Sequence, residues 1–137
     1  MRMHVTASVV AATTALLTAI PTLAAPEPSC VVTAPGRTQQ QFDRLMAALT
    51  HKNYTLWTED ADTAFLNGLS ARRFSHMANT LDRKLQLQKG WHANYVTHLQ
   101  DGAYSSYVWR VTLYNGRQLL MQITESNNGK VAGFHLA

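Results

Sequence analysis

The apolar positions of this chain change period once, at Trp91. Before it they recur every three or four residues. Phe42, Leu45, Met46 and Leu49 form one helical stripe. Thr38 followed by Gln41 has the pattern of a capping box. Together they predict a helix over 39–52. The stretch "NYTLWTEDADTAFLNGLS" has no single period. Its Leu56, Trp57, Phe65, Leu66 and Leu69 are expected in one or two short helices that dock on the core as a lid. Ser70 reads as the N-cap of a further long helix, whose stripe is Phe74, Met77, Ala78, Leu81 and Leu85. Gly90 closes that helix or the loop after it.

From Trp91 onward apolar and polar residues alternate, which is the period of a strand. Asp101-Gly102, Asn115-Gly116 and Asn128-Gly129 divide the alternation, and each is a dipeptide suited to a two-residue hairpin turn. The predicted strands are 91–100, 103–114, 117–127 and 130–136. Sequential hairpins make an antiparallel meander, so the fold class is α+β, with the N-terminal helices packed on one face of a curved four-stranded sheet.

Two-residue turns set the register by counting. Asn94 then opposes Trp109, which opposes Gln122, which opposes His135. The flanking rows are Ala93, Arg110, Met121, Leu136 and Tyr95, Val108, Ile123, Phe134. With Trp91, Leu99, Leu119 and Ala132 these rows make the face expected under the helices. The opposite face carries His92, Asn94, Tyr107, Trp109, Val111, Leu120, Gln122 and His135. It is too apolar for a plain solvated face and too polar for a core. Asn94, Tyr107, Trp109, Gln122 and His135 are therefore the candidate ligand or partner residues. A second copy of the chain is the favoured partner, because homodimers are the commonest oligomers; a ligand groove is the alternative. A bulge would exchange faces locally, and Gly133 is a candidate for one.

The start of the chain adds a cellular expectation. Arg2 is followed by an apolar run, Val9 to Ile20, and by the small residues of "TLAAPEP". This is the pattern of a secretory signal peptide cut after Ala24 or Ala25. The run is shorter than the roughly 20 residues of a membrane span, and no other stretch approaches that length. The expected organisation is a signal peptide over 1–25, a flexible leader over 26–37 and one domain over 38–137, in a periplasmic or secreted protein with no membrane attachment after cleavage. Cys30 is the single cysteine, which rules out an internal disulfide. Glu27 stands where a lipoprotein signal needs a Leu-like residue, so lipid on Cys30 is not expected.

Charge and motifs narrow the chemistry. The formal net charge is +4, about +3 once Arg2 is removed. The basic residues are scattered, and nucleic acid would call for a denser stripe interleaved with aromatics. Of the six histidines, His92 and His98 share a predicted face but stand roughly 20 Å apart along a strand. His51 and His76 belong to different helices. No metal ligand set forms, and no cofactor is implied. Cys30 has no base beside it, and no Ser sits in a nucleophile elbow. The enzyme alternative is acid–base chemistry beneath the helices, using Tyr95, Tyr104 or Tyr114 and an inward Arg110 paired with Asp60, Asp62 or Asp82.

The tail "YVWRVTLYNGRQLLMQITESNNGKVAGFHLA" combines a V-x-V-x-L strand, an Asn-Gly turn, an apolar strand and "GKVAGF". With the helix opened by "LSARRF", it resembles small secreted bacterial domains of unknown function in the nuclear transport factor two-like superfamily. The resemblance covers roughly 38–137 and implies a cystatin-like α+β cone. Enzymes of that superfamily use an acid or His with a Tyr deep in the cone, but the resembling domains have no assigned activity, so no catalytic residues carry over. The expected function is an exported, non-catalytic binding or assembly module acting through its sheet face, on a second copy or on a protein or peptide ligand. The alternatives are a small cofactor-independent enzyme and an inhibitor of a secreted or periplasmic enzyme.

Overall fold

Burial follows the helical stripes closely. The computed structural model describes residues 32–137; the expected signal peptide, its cleavage position and Cys30 lie outside the described residues. Helix α1 spans Gly36–His51 and buries Phe42, Leu45, Met46, Ala48 and Leu49. It ends at Lys52, whose left-handed backbone (φ 55°) lets its N–H reach Ala48 O. Asn53 caps the short helix α2, Tyr54–Thr58, and Asp62 caps α3, Thr63–Gly68. Ser70 accepts the Arg73 N–H and opens α4, Ala71–Leu85, as its sequence predicts. The short helices do act as a lid. Trp57 is buried, with ring centroids 5.6 Å from Phe65, 5.2 Å from Phe74 and 5.0 Å from Phe134.

The capping box does not form. Helix α1 begins before Thr38, at Gly36 behind an N-cap Pro35 that makes no side-chain bond. Thr38 and Gln41 are thus already inside the helix and buried. Gln41 Nε2 donates to Gly129 O at 2.9 Å, tying α1 to the last hairpin.

Four strands, β1 Trp91–Asp101, β2 Tyr104–Leu113, β3 Gln118–Ser126 and β4 Val131–Leu136, pair antiparallel in chain order. The helices cover one face. The order and direction match the sequence reading; the register of β2 does not. The β2–β3 loop holds three residues between the paired Leu113 and Arg117, with Gly116 at φ 81° and its N–H bonded to Leu113 O. That is a turn with a glycine bulge, one residue longer than a two-residue hairpin. The extra residue rotates β2 onto its other face. Trp109 opposes Met121 rather than Gln122. Trp109, Val111 and Leu113 are consequently core residues, while Val108 and Arg110 face away from the helices.

The neighbouring hairpins depart from the expected register as well, with smaller consequences. Asp101 pairs with Tyr104, so the first turn is Gly102-Ala103, and Val96 is bulged between Tyr95 and Thr97. Trp91, Ala93 and Tyr95 still face the helices, packed against the core. The β3–β4 loop is again three residues long, with Gly129 at φ 71°. An irregularity between Val131 and Gly133, at Ala132 rather than at Gly133 itself, restores the expected pairs Gln122–His135 and Ile123–Phe134. At the start of β4, Ala61 forms a parallel bridge to Val131, with Asp62 N–H on Val131 O and Val131 N–H on Asp60 O, both 2.8 Å.

Candidate functional site

The five residues expected on one face divide between two. Asn94, Gln122 and His135 lie on the face away from the helices. Trp109 lies beneath them, 1 % exposed, stacked on Phe42 with centroids 4.4 Å apart and planes 19° apart. Its Nε1 donates to Gln39 Oε1 at 3.1 Å. Tyr107 opposes Ile123 on the helix side and stacks with His98 at 5.9 Å. The row read as Asn94, Trp109, Gln122, His135 is therefore corrected to two rows. One is Asn94, Arg110, Leu120, closed by backbone bonds between Leu120 and Ala137. The other is Thr97, Val108, Gln122, His135.

This open face is ordered by its own hydrogen bonds. Gln122 Nε2 donates to Ser106 Oγ at 3.1 Å, and the Ser106 and Thr124 hydroxyls share a bond at 3.1 Å. Beside the first row, Arg110, Gln118, Leu120 and Ala137 border a depression of about 230 Å³. Leu99 and Leu120 are well exposed on it. The face thus offers aliphatic patches next to fixed donors and acceptors.

A second constellation is buried at the far end of β3. Alternation that places Leu119, Met121 and Ile123 under the helices places Glu125 there too, and it is 8 % exposed. Burial pushes its carboxyl pKa up; a hydrogen bond from Thr38 and the nearby Arg37 charge oppose that, and Asp60 adds to it. Glu125 Oε1 and Gln41 Oε1 have no hydrogen-bond partner. The signal for Glu125 was present in the strand period; the sequence reading sought acids only among the helical residues.

The acid–base set expected beneath the helices is not assembled. Arg110 is exposed on the open face because of the β2 rotation. The arginine that meets the acids is Arg44, bonded to Asp60 and 3.6 Å from Glu59. Asp82 pairs with Lys52 at 2.8 Å, and Asp62 is spent on the α3 cap. Tyr104 and Tyr114 are exposed. Tyr95 is half-buried, its hydroxyl pKa raised by burial and then by Tyr107. The five described histidines are all exposed, and among the described residues no three potential metal ligands converge. No described helix is long and apolar enough to cross a membrane.

The described fold is α+β, with helices packed on one face of a four-stranded antiparallel meander. No protein-family model matches the sequence, and no curated protein does. Among solved structures, a nuclear transport factor two-like protein of unknown function from Cytophaga hutchinsonii is similar, at 12% identity and a TM-score of 0.40, over 77% of this chain and 93% of that one. An uncharacterized cystatin-fold protein from Novosphingobium aromaticivorans is similar at 10% identity and a TM-score of 0.42, over 72% of this chain and 95% of that one.

Proposed function

We propose that this protein is an exported, non-catalytic assembly module that associates with a second copy through the open face of its sheet. The observation that carries the reading is the one-sided covering: helices occupy one face, while the other presents Leu120 and Val108 beside the bonded Gln122, Ser106 and Thr124 side chains. Size is consistent with it. Four strands about 4.8 Å apart and nine residues at about 3.3 Å each give a projected area of about 600 Å². Side-chain relief raises the accessible area toward the ~800 Å² per partner of a standard interface.

Sedimentation equilibrium tests the proposal. The wild-type protein is expected to be a dimer, and Leu120→Arg a monomer with an unchanged far-ultraviolet spectrum. A monomeric wild type, or a dimer indifferent to Leu120→Arg, removes this reading. A second reading is favoured by one observation. Acid–base chemistry beneath the helices calls for a buried carboxyl, and Glu125 is one, its pKa raised by burial.

A further inference from the structure

At one end of the sheet, where β1 starts and β2 ends, a recess of about 520 Å³ opens between Lys89, Trp91, His92, Thr112 and Tyr114. Its volume is in the range of small-molecule sites. Two features set its chemistry. The first is aromatic. Tyr114 is about half exposed, yet its hydroxyl is held by a 2.8 Å bond to Gln86 Oε1. Trp91 is half-buried and braced edge-on by Phe42, centroids 6.2 Å apart. Both rings are fixed before any ligand arrives.

The second feature is charge. Lys89 Nζ sits 4.9 Å from the Tyr114 ring centre. Arg117 follows in the same turn, and its Nη2 donates to Lys84 O at 3.3 Å. Its guanidinium keeps further donors free, since the group carries five. No carboxylate lines the recess. The acid nearest in sequence, Asp82, is already paired with Lys52. Glu59, Asp60, Asp62, Asp101 and Glu125 gather at the opposite end of the sheet, about 30 Å away along β3. Arg37, Arg44 and Lys130 accompany those acids, so that end is mixed in charge, whereas the recess has Lys89 and no lining carboxylate.

The geometry points to this recess as a binding site for an anionic saccharide. An aromatic wall receives the apolar face of a sugar ring, and the Thr112 hydroxyl and His92 supply hydrogen bonds. Lys89 on the lining holds a carboxylate or sulfate, and Arg117, next in the chain to the lining Gly116, adds a second cation at the border. Arg suits such groups because its fork matches their paired oxygens. A nucleic-acid strand is the poorer fit, because it calls for a basic groove that tracks a backbone, with successive stacking rings. Here one lysine, Lys89, lines a single recess. The recess lies at the end of the sheet, where His92 and Thr112 on the open face meet Lys89 and Tyr114.

Isothermal titration with four probes tests the site: oligogalacturonate for carboxylates, heparin oligosaccharides for sulfates, neutral dextran, and a short oligothymidylate. At least one anionic saccharide is expected to bind, more weakly as salt rises, and dextran is not. Lys89→Ala, Arg117→Ala and Tyr114→Ala are all exposed changes that leave the fold intact, and each is expected to weaken that binding about tenfold or more. Binding by neither anionic saccharide overturns the proposal. So does binding that is unchanged in the three variants, dextran binding of equal strength, or tighter binding of the oligothymidylate.

Discussion

Trp109 and Arg110 are adjacent in sequence and face opposite sides of the sheet, so one charge moved by one residue tests the register. Trp109 is 1 % exposed, stacked on Phe42 and bonded to Gln39. A buried aromatic side chain removes about 150–250 Å² from water, worth about 4–6 kcal/mol at ~25 cal/mol per Å². Truncating a core Trp costs about 3–5 kcal/mol, and an unpaired carboxylate in its place adds to the loss. A domain of this size has about 5–15 kcal/mol in all. Trp109→Glu is therefore expected to be unfolded or marginal at 25 °C. Arg110→Glu, on the face away from the helices, is expected to leave the protomer folded, shifting its own stability by no more than about 0.5 kcal/mol. Urea unfolding followed by far-ultraviolet circular dichroism measures both. The refuting result is a cooperative Trp109→Glu variant within about 1 kcal/mol of wild type. It would mean that Asn94 does oppose Trp109 and that β2 is turned the other way.

Other outcomes follow from the buried polar end and from the chain start. Glu125 has a folded pKa above its ordinary 4.5, so the fold favours the protonated form. Its stabilising contribution is complete below that ordinary value and is lost as pH rises through the raised one. Glu125→Gln is expected to flatten the fall in urea midpoint as pH rises above the ordinary 4.5; an unchanged slope sinks the idea. Gly129→Ala places a Cβ at φ 71° and 2.6 Å from the Arg37 guanidinium, which is expected to cost about 1–2 kcal/mol, measured by the same midpoints. Intact-mass analysis of exported protein is expected to show a chain starting near Pro26, with no lipid on Cys30; a retained Arg2 defeats the export reading.

Much of the architecture was legible because helical and strand periods differ and the turn dipeptides are strong local signals. The stripe from Phe42 to Leu49, the Ser70 cap and the order of four hairpin strands all follow from that. Register was not legible, because an Asn-Gly pair serves a two-residue turn and a three-residue turn with a glycine bulge equally well. One uncounted residue at Gly116 moved Trp109 and Tyr107 from the candidate face to the helix side. The correction was available in β2 itself. Tyr107, Trp109, Val111 and Leu113 are plainly the more apolar alternation beside Val108, Arg110 and Thr112, and burial outranks turn counting. At the last hairpin two errors cancelled, a longer turn against a bulge, which is why Gln122 and His135 do pair. Thr38 and Gln41 failed as a cap for a different reason. Their side chains form the same bonds to a distant strand as to a helix end, and no local pattern separates the two.

The bridge between Ala61 and Val131 and the bulge at Val96 sit on opposite rims of the sheet. Exposed rims are templates for a foreign strand, and proteins blunt them to avoid runaway polymerisation. The β4 rim is blunted at its first residue by the 60–62 segment, whose backbone occupies the groups an incoming strand would use. The β1 rim is interrupted at Val96, where the ladder loses step. Between Trp91 and Tyr95 it runs straight and has a strand on one side only. An added peptide strand thus meets two regular stretches of the rim, Trp91 to Tyr95 and Thr97 to Asp101, that are out of step with each other at Val96.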